Sequence, residues 1–267
     1  MEQTEQKIIP YINKEYILNP EILHEHIYKN NDLDLFWTDD WSADFYIALA
    51  RAGFISTFME HEEAGSILLP EIQKSYAVLD WENLRISRKV KNIIAKDDFN
   101  LNNFFLTINN DPDAVLKGIE DAYENSWLKG RYAELMKALF MKNDEKSDFN
   151  IITCELCDNE RKIVCAGEIG YTIGKTYTSL SGFFIRKDRR YDNFGKLQLY
   201  LLAKLLLKQG YEFWNLGHPY MQYKIDLGAN ILDRNLFLSK WLKYRDLKSN
   251  NELINTIDIK FFFHDLL

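Results

Sequence analysis

The sequence predicts a mixed α/β fold in which antiparallel hairpins feed one parallel crossover. Three observations carry this prediction. Three strand-like runs, 150–156, 162–171 and 176–184, follow one another with only turn residues between them, Asp158-Asn159 and Ile173-Gly174. A long helical pattern comes next, with Phe194, Leu197, Leu201, Leu202 and Leu205 on one face and Gly210 as its stop. A short apolar run at 211–216 follows at once, and strand, helix and strand at this spacing form a right-handed parallel unit.

The remaining elements fall in order. The first forty residues mix short apolar pieces with Pro10, Pro20 and the turn-like Asn30-Asn31-Asp32. Ser42 then N-caps a helix carrying Phe45, Ile47, Ala48, Leu49 and Ala52, and Gly53 ends it. Runs 54–58 and 66–69 read as strands, and Pro70 with its polar neighbours marks a boundary. The division is a small N-terminal α+β domain at 1–73 and a larger domain at 74–267. In the larger domain 76–79 reads as a strand, and Ser87 caps a basic helix carrying Val90, Ile93 and Ile94. Residues 103–108 alternate as a strand does. Asp111-Pro112 opens a helix with Val115, Leu116, Ile119 and Tyr123 on its apolar face, and a second helix spans 131–141. Hairpins feeding a single crossover suit a GNAT-like (acyl-CoA N-acyltransferase type) sheet. A Rossmann sheet would need repeated βαβ units.

Composition narrows the function classes. The chain has 267 residues, and nearly half are apolar, so it can bury a core without disulfides. Its formal net charge of −7 argues against non-specific duplex binding, and DNA is not an expected partner. Three cysteines are too few for a secreted disulfide framework. The polar N-terminus is no signal peptide, and Lys204 interrupts the most apolar run. A cytoplasmic monomer with no membrane contact is the expectation.

Three constellations offer chemistry. The first is the loop 186–196 before the long helix. There Arg190, Asn193 and Gly195 stand where CoA-dependent acetyltransferases have Arg/Gln-x-x-Gly-x-Gly/Ala, so one glycine of that phosphate cradle is missing. A single phosphodiester beside Arg190 and Lys196 remains compatible with it. The second is the basic run Arg85, Arg88, Lys89 and Lys91, which could track a phosphate backbone or simply be a polar helix face. The third is the cysteines. Cys154 and Cys157 have zinc-like spacing without a second pair, and on a strand they point to opposite faces, so buried thiols are expected and no metal. Among the histidines, His218 follows the last crossover strand, where open sheets often bind ligands and where it could act as a base.

These pieces, in this order, resemble the bacterial leucyl/phenylalanyl-tRNA–protein transferases. The resemblance begins at Trp41-Ser42-Ala43, matching a Leu-Ser-Pro helix start, and continues through Ala50-Arg51-Ala52-Gly53-Phe54. Its longest stretch is 77–88, similar to Ala-Val-Leu-Trp-Pro-Glu-Ser-Leu-His-Ile-Ser-Arg. Ser126-Trp127-Leu128, the loop from Phe184 to Lys196, and Leu227-Gly228-Ala229 complete it. The resemblance implies transfer of Leu or Phe from the 3′ acceptor end of an aminoacyl-tRNA to the N-terminal amine of a protein, marking an N-degron, with no cofactor. It implies an apolar pocket of Phe58, Trp127, Gly182, Phe183 and Phe184. It places Arg85, Arg88, Lys89, Lys91, Arg186, Arg190 and Lys196 at the tRNA. At positions of site residues this chain departs: Thr57 replaces a pocket tryptophan, Ser181 a glutamate, Asn215 an aspartate and Gly217 a glutamine. Asn215, His218 and Ser181 are the resulting catalytic candidates. Three readings stand open: an aminoacyltransferase of altered specificity, an acetyl-CoA-dependent N-acetyltransferase, and an aminoacyl-tRNA-binding homologue without catalysis.

Overall fold

The computed structural model describes residues 9–95, 103–124, 126–144, 146–248 and 261–262. The chain divides into two compact units between Lys74 and Ser75.

In the first unit, Asn13 caps the short helix α1 (Lys14–Leu18) through its side chain, and a π-helical turn spans Ile22–Tyr28. Neither was legible in the sequence, because five to seven residues are too few to show a helical period. The Ser42 hydroxyl accepts the Phe45 N–H at 3.3 Å and starts α2 (Ala43–Arg51), as the sequence predicts. That helix buries Phe45, Tyr46, Leu49 and Ala50. Gly53, with φ of 88°, turns the chain into β1 (Ile55–His61), which pairs antiparallel with β2 (Gly65–Glu71). Pro70 lies inside β2 rather than beyond it. In a two-stranded sheet a proline loses little, and its carbonyl still accepts the Phe36 N–H at 2.9 Å.

The second unit runs β3 (Ser75–Asp80), α3 (Arg88–Ile94), β4 (Phe104–Ile108), α4 (Pro112–Ala122), α5 (Gly130–Phe140), β5 (Phe149–Asp158), β6 (Ile163–Ile173), β7 (Thr176–Phe184), α6 (Phe194–Lys208), β8 (Phe213–Asn215), α7 (Gln222–Leu227), β9 (Asn230–Asp233), α8 (Arg234–Arg245) and β10 (Phe261–Phe262). Its strands form one sheet in the order β10-β4-β5-β6-β7-β8-β3-β9. Among the described residues of this unit only β7 and β8 pair in parallel, across the α6 crossover, and the other strand pairs are antiparallel. This is the GNAT-like mixed sheet that the hairpins and crossover predict.

One face of the sheet packs on α6. Leu197, Leu201, Leu202 and Leu205 are fully buried there against Ile152, Cys154, Leu156, Tyr177 and Trp214. Each such side chain contributes roughly 2 kcal/mol of burial free energy. On the opposite face α4 supplies Val115 and Ile119, and α8 stacks Phe237 on Tyr76 at 3.6 Å between ring centres. The α8 helix was not legible, since its charged residues alternate with Phe237, Leu238 and Trp241 and blur the period. The cysteines take opposite faces as the alternation predicts. Cys154 is buried on the α6 side and Cys157 is half-exposed. Burial pushes the Cys154 thiol well up. Among the described residues no group of three metal-ligating side chains stands together.

The Asp111 carboxylate accepts the Ala114 N–H at 3.0 Å, with Pro112 in the first turn of α4. Asp111→Ala is expected to destabilise the second unit by about 1 kcal/mol, read as a lower urea midpoint at unchanged slope.

Candidate active site

Strands β7 and β8 stay paired for three residues, Thr176↔Phe213 to Thr178↔Asn215, and then part. Beyond that point β7 continues alone beside β6, to Phe184 opposite Ala166. An extra residue, Leu180, is inserted where Gly170 faces Ser179 and Ile169 faces Ser181. The bulge lets Ser179 and Gly182 look to the same face although three positions separate them.

Strand alternation and this bulge sort the side chains. On the α6 face stand Glu168, Tyr177, Ser179, Gly182 and Trp214. The Tyr177 hydroxyl donates to Glu168 Oε1 at 2.7 Å, and the Ser179 hydroxyl donates to the same oxygen at 3.0 Å. Trp214 Nε1 in turn donates to Ser179 Oγ at 2.7 Å. Gly182 lies opposite Glu168 in register, and a Cβ there would come within 3.0 Å of the Glu168 Cβ. Helix α7 closes this corner with Lys224, whose ammonium donates to the carbonyls of Leu216 and His218. Burial pushes the Glu168 carboxyl up to about 7, offset in part by the Tyr177 and Ser179 hydrogen bonds and by the Lys224 charge. Burial likewise holds Lys224 down to about 8, and the Glu168 charge opposes that shift. Burial, with the Glu168 charge adding, raises Tyr223 beside them.

The opposite face receives Ser181, Phe183 and Asn215. Asn215 is buried and used by the fold: its Oδ1 accepts the Gly217 N–H at 3.0 Å and its Nδ2 reaches Thr178 Oγ1 at 3.4 Å. Gly217 takes φ of 70°, and its carbonyl accepts the Ala77 N–H at 2.7 Å. These two residues therefore shape the turn after β8, while Glu168 holds the other face. His218 stacks on Tyr220 at 5.0 Å in the loop before α7.

Phe183 and Phe184 point to opposite faces but meet at the end of the sheet. Both edge a groove of about 890 Å³ that Arg186, Asp111 and Asp121 also line. Phe183 fits there only because residue 118 on α4 is glycine, as a Cβ would come within 2.3 Å of its ring. Trp127 packs edge-on against Tyr132 at 4.9 Å in front of α5. Thr57 and Phe58 lie on β1 in the first unit, where Phe58 packs on Trp41 at 6.1 Å.

The basic candidates separate into two groups. Arg85 and Lys196 line one cleft with Ser87, Tyr200, Tyr223 and Asp226, and Arg88, Lys89 and Lys91 follow Ser87 on α3. Lys196 pairs with Asp226 at 3.0 Å, a half-exposed contact that an anion can replace. Arg190 is instead tied to Asp158 at 3.2 Å and Glu160 at 2.6 Å, and Arg186 lies over the rings of Tyr123 and Phe184 at the groove.

The sequence model of the family described as Leucyl/phenylalanyl-tRNA protein transferase matches residues 78–242, from β3 to within α8. The chain belongs to that family. No curated protein sequence matches it. Among solved structures it is similar to L-PGS from Bacillus licheniformis, at 13% identity and a TM-score of 0.37, over 64% of this chain and 65% of that one. It is also similar to the C-terminal domain of a putative lysylphosphatidylglycerol synthetase from Agrobacterium fabrum, at 12% identity and a TM-score of 0.36, over 79% and 60% of the two chains. It thus spans less than two thirds of either neighbour's length. Among the described residues no helix is long and apolar enough to cross a membrane.

Sequence reasoning missed Glu168, Lys224, Tyr177 and Tyr223. One signal for Glu168 was present, a lone acid inside an apolar strand at Ala166-Gly167-Glu168-Ile169. Nothing local marked Lys224, whose burial arises only because α7 folds back under the turn after β8.

Proposed function

We propose that this protein transfers an apolar amino acid of the Leu or Phe class from aminoacyl-tRNA to the N-terminal amine of an acceptor protein. The observation that carries this reading, within a segment matched by the family, is the cleft shared by Arg85 and Lys196. These cations are far apart in sequence, yet both stand beside the start of α6. That helix of 15 residues begins without a side-chain cap, and the positive end of its dipole adds to the field of the two cations. Two cations and a helix N-terminus suit consecutive phosphates of a tRNA acceptor end. Arg190, neutralised by two carboxylates, is a poor partner for a pyrophosphate. That weighs against acetyl-CoA as donor.

The loss of the family carboxylates at Ser181 and Asn215 points to an acceptor other than a strongly basic N-terminus. Arg85→Ala combined with Lys196→Ala is expected to weaken aminoacyl-tRNA binding at least about tenfold and to shrink the salt slope by about two phosphate contacts. Filter binding across salt concentrations measures both. An unchanged affinity and slope would remove the cleft as the tRNA site.

A further inference from the structure

Three buried carboxylates, Glu155, Asp158 and Glu168, lie on β5 and β6, and their surroundings differ. Asp158 is engaged on both oxygens, by the Glu160 and Arg161 N–H groups on Oδ1 and by the Tyr191 hydroxyl and Arg190 on Oδ2. Glu155 has both oxygens occupied: Thr153 donates to Oε1 at 2.6 Å and Thr107 to Oε2 at 2.8 Å. It is a closed structural group on the face away from α6. Glu168 has both of its hydrogen bonds on Oε1, from Tyr177 and Ser179, and among the described residues no donor reaches Oε2. Oε2 is not buried without a partner, and it keeps some contact with solvent. Glu168 also sits where β7 has just lost its β8 neighbour, and the residue facing it in register is Gly182. A Cβ there would press on the Gly167 carbonyl oxygen at 2.9 Å and on the Glu168 Cβ at 3.0 Å, so glycine lets the strand lie close beside the Glu168 stem.

We infer that Glu168 is the group that accepts the proton from the acceptor amine as it attacks the aminoacyl ester. The inference rests on the aminoacyl-transfer reading above. The neutral amine adds its lone pair to the ester carbonyl carbon, and a C–N bond forms. One N–H proton passes to Glu168 Oε2. The tetrahedral intermediate then collapses, and the bond from carbon to the ribose oxygen breaks. That oxygen leaves as a hydroxyl, taking the proton back from Glu168. The products are an amide and a free tRNA end, with no net proton change. Lys224, anchored on the Leu216 and His218 carbonyls, is a positioning residue whose charge keeps Glu168 ionisable in a dry site. The other titratable groups facing Glu168 are Tyr177 on β7, Cys154 on β5 and Tyr223 on α7. Burial raises all three, which leaves Glu168 to titrate near neutrality.

The test is single-turnover transfer from a pool of labelled aminoacyl-tRNAs to peptides bearing each N-terminal residue, across pH. The wild type is expected to show an acid limb near pH 7. Glu168→Gln is expected to lose about 100-fold in rate and to lose that limb, keeping only the titration of the peptide amine near about 8. Its aminoacyl-tRNA affinity should hold within about twofold. Ser179→Ala removes a hydrogen bond that holds the Glu168 carboxyl down, so it should move the limb to higher pH at a preserved plateau. Should Glu168→Gln fail to fold, the Ser179→Ala limb decides alone, and an unmoved limb overturns the inference. Wild-type transfer with an unimpaired Glu168→Gln overturns this inference only. No transfer by the wild type from any donor overturns the transfer reading itself, and this inference with it.

Discussion

Gly228→Ala is expected to destabilise the second unit by about 4 kcal/mol, the largest loss from a single added methyl group in the site region. Gly228 ends α7 with φ of 112°, a conformation that side chains rarely adopt. A Cβ there would stand 1.8 Å from the Asn83 carbonyl oxygen, which is backbone and cannot rotate aside. Next to this contact the Arg85 N–H donates to the Leu227 carbonyl at 2.8 Å. The glycine therefore lets the Asn83–Arg85 backbone lie directly on the end of α7. Forcing them apart separates Arg85 from the helix that carries Lys224 and Asp226. Urea unfolding of the variant tests this. A loss below about 1 kcal/mol would mean that the backbone yields and the junction is soft.

Glu168→Gln is expected to act in the opposite direction on stability while it slows transfer about 100-fold. The folded chain holds the Glu168 proton up to about pH 7, whereas the ordinary value is 4.5. Between those values the native state binds more protons than the unfolded chain, so the wild type loses stability as pH rises through that window. The integrated penalty at pH 8 is roughly 3 kcal/mol, set by a shift of this size at about 1.4 kcal/mol per pH unit. The glutamine removes it, less the attraction between Glu168 and Lys224. Wild type and variant should therefore be of similar stability near pH 4.5, and the variant should be the more stable by about 2 kcal/mol at pH 8. The substitution also lowers Lys224, whose protonation the Glu168 charge supports, so the difference curve reports this coupled pair. A difference that does not grow with pH would show that Glu168 is not held in its protonated form. A gain in stability with a loss of rate is the pattern expected of a group held for chemistry rather than for the fold.

The crossover β7-α6-β8, the hairpins β5-β6-β7 and the caps at Ser42, Ser87 and Asp111 were legible because each rests on local chemistry. Alternation of period two, a helical stripe and a hydroxyl or carboxylate before the first turn all act within a few residues. The family was legible for the same reason, as ordered short motifs survive in the segment its model matches. The partition of the site was not. Asn215 and Ser181 read as chemistry because the resemblance aligns them with family carboxylates, and the alternation set by β8 and the Leu180 bulge places both on the face opposite α6. One inserted residue decides which face every later side chain on β7 takes, and that insertion depends on pairing with β6.

The sequence by itself determined the element types, the mixed sheet with one crossover and the basic residues available for a phosphate chain. Only the tertiary structure decided that Glu168 is buried with both its hydrogen bonds on one oxygen, that Lys224 lies beneath the turn after β8, and that Arg85 and Lys196 line one cleft. These are contacts between strands and helices far apart in the chain. Burial and the fields of neighbouring charges, which set the chemistry of a carboxylate or an ammonium, exist only once those elements have packed.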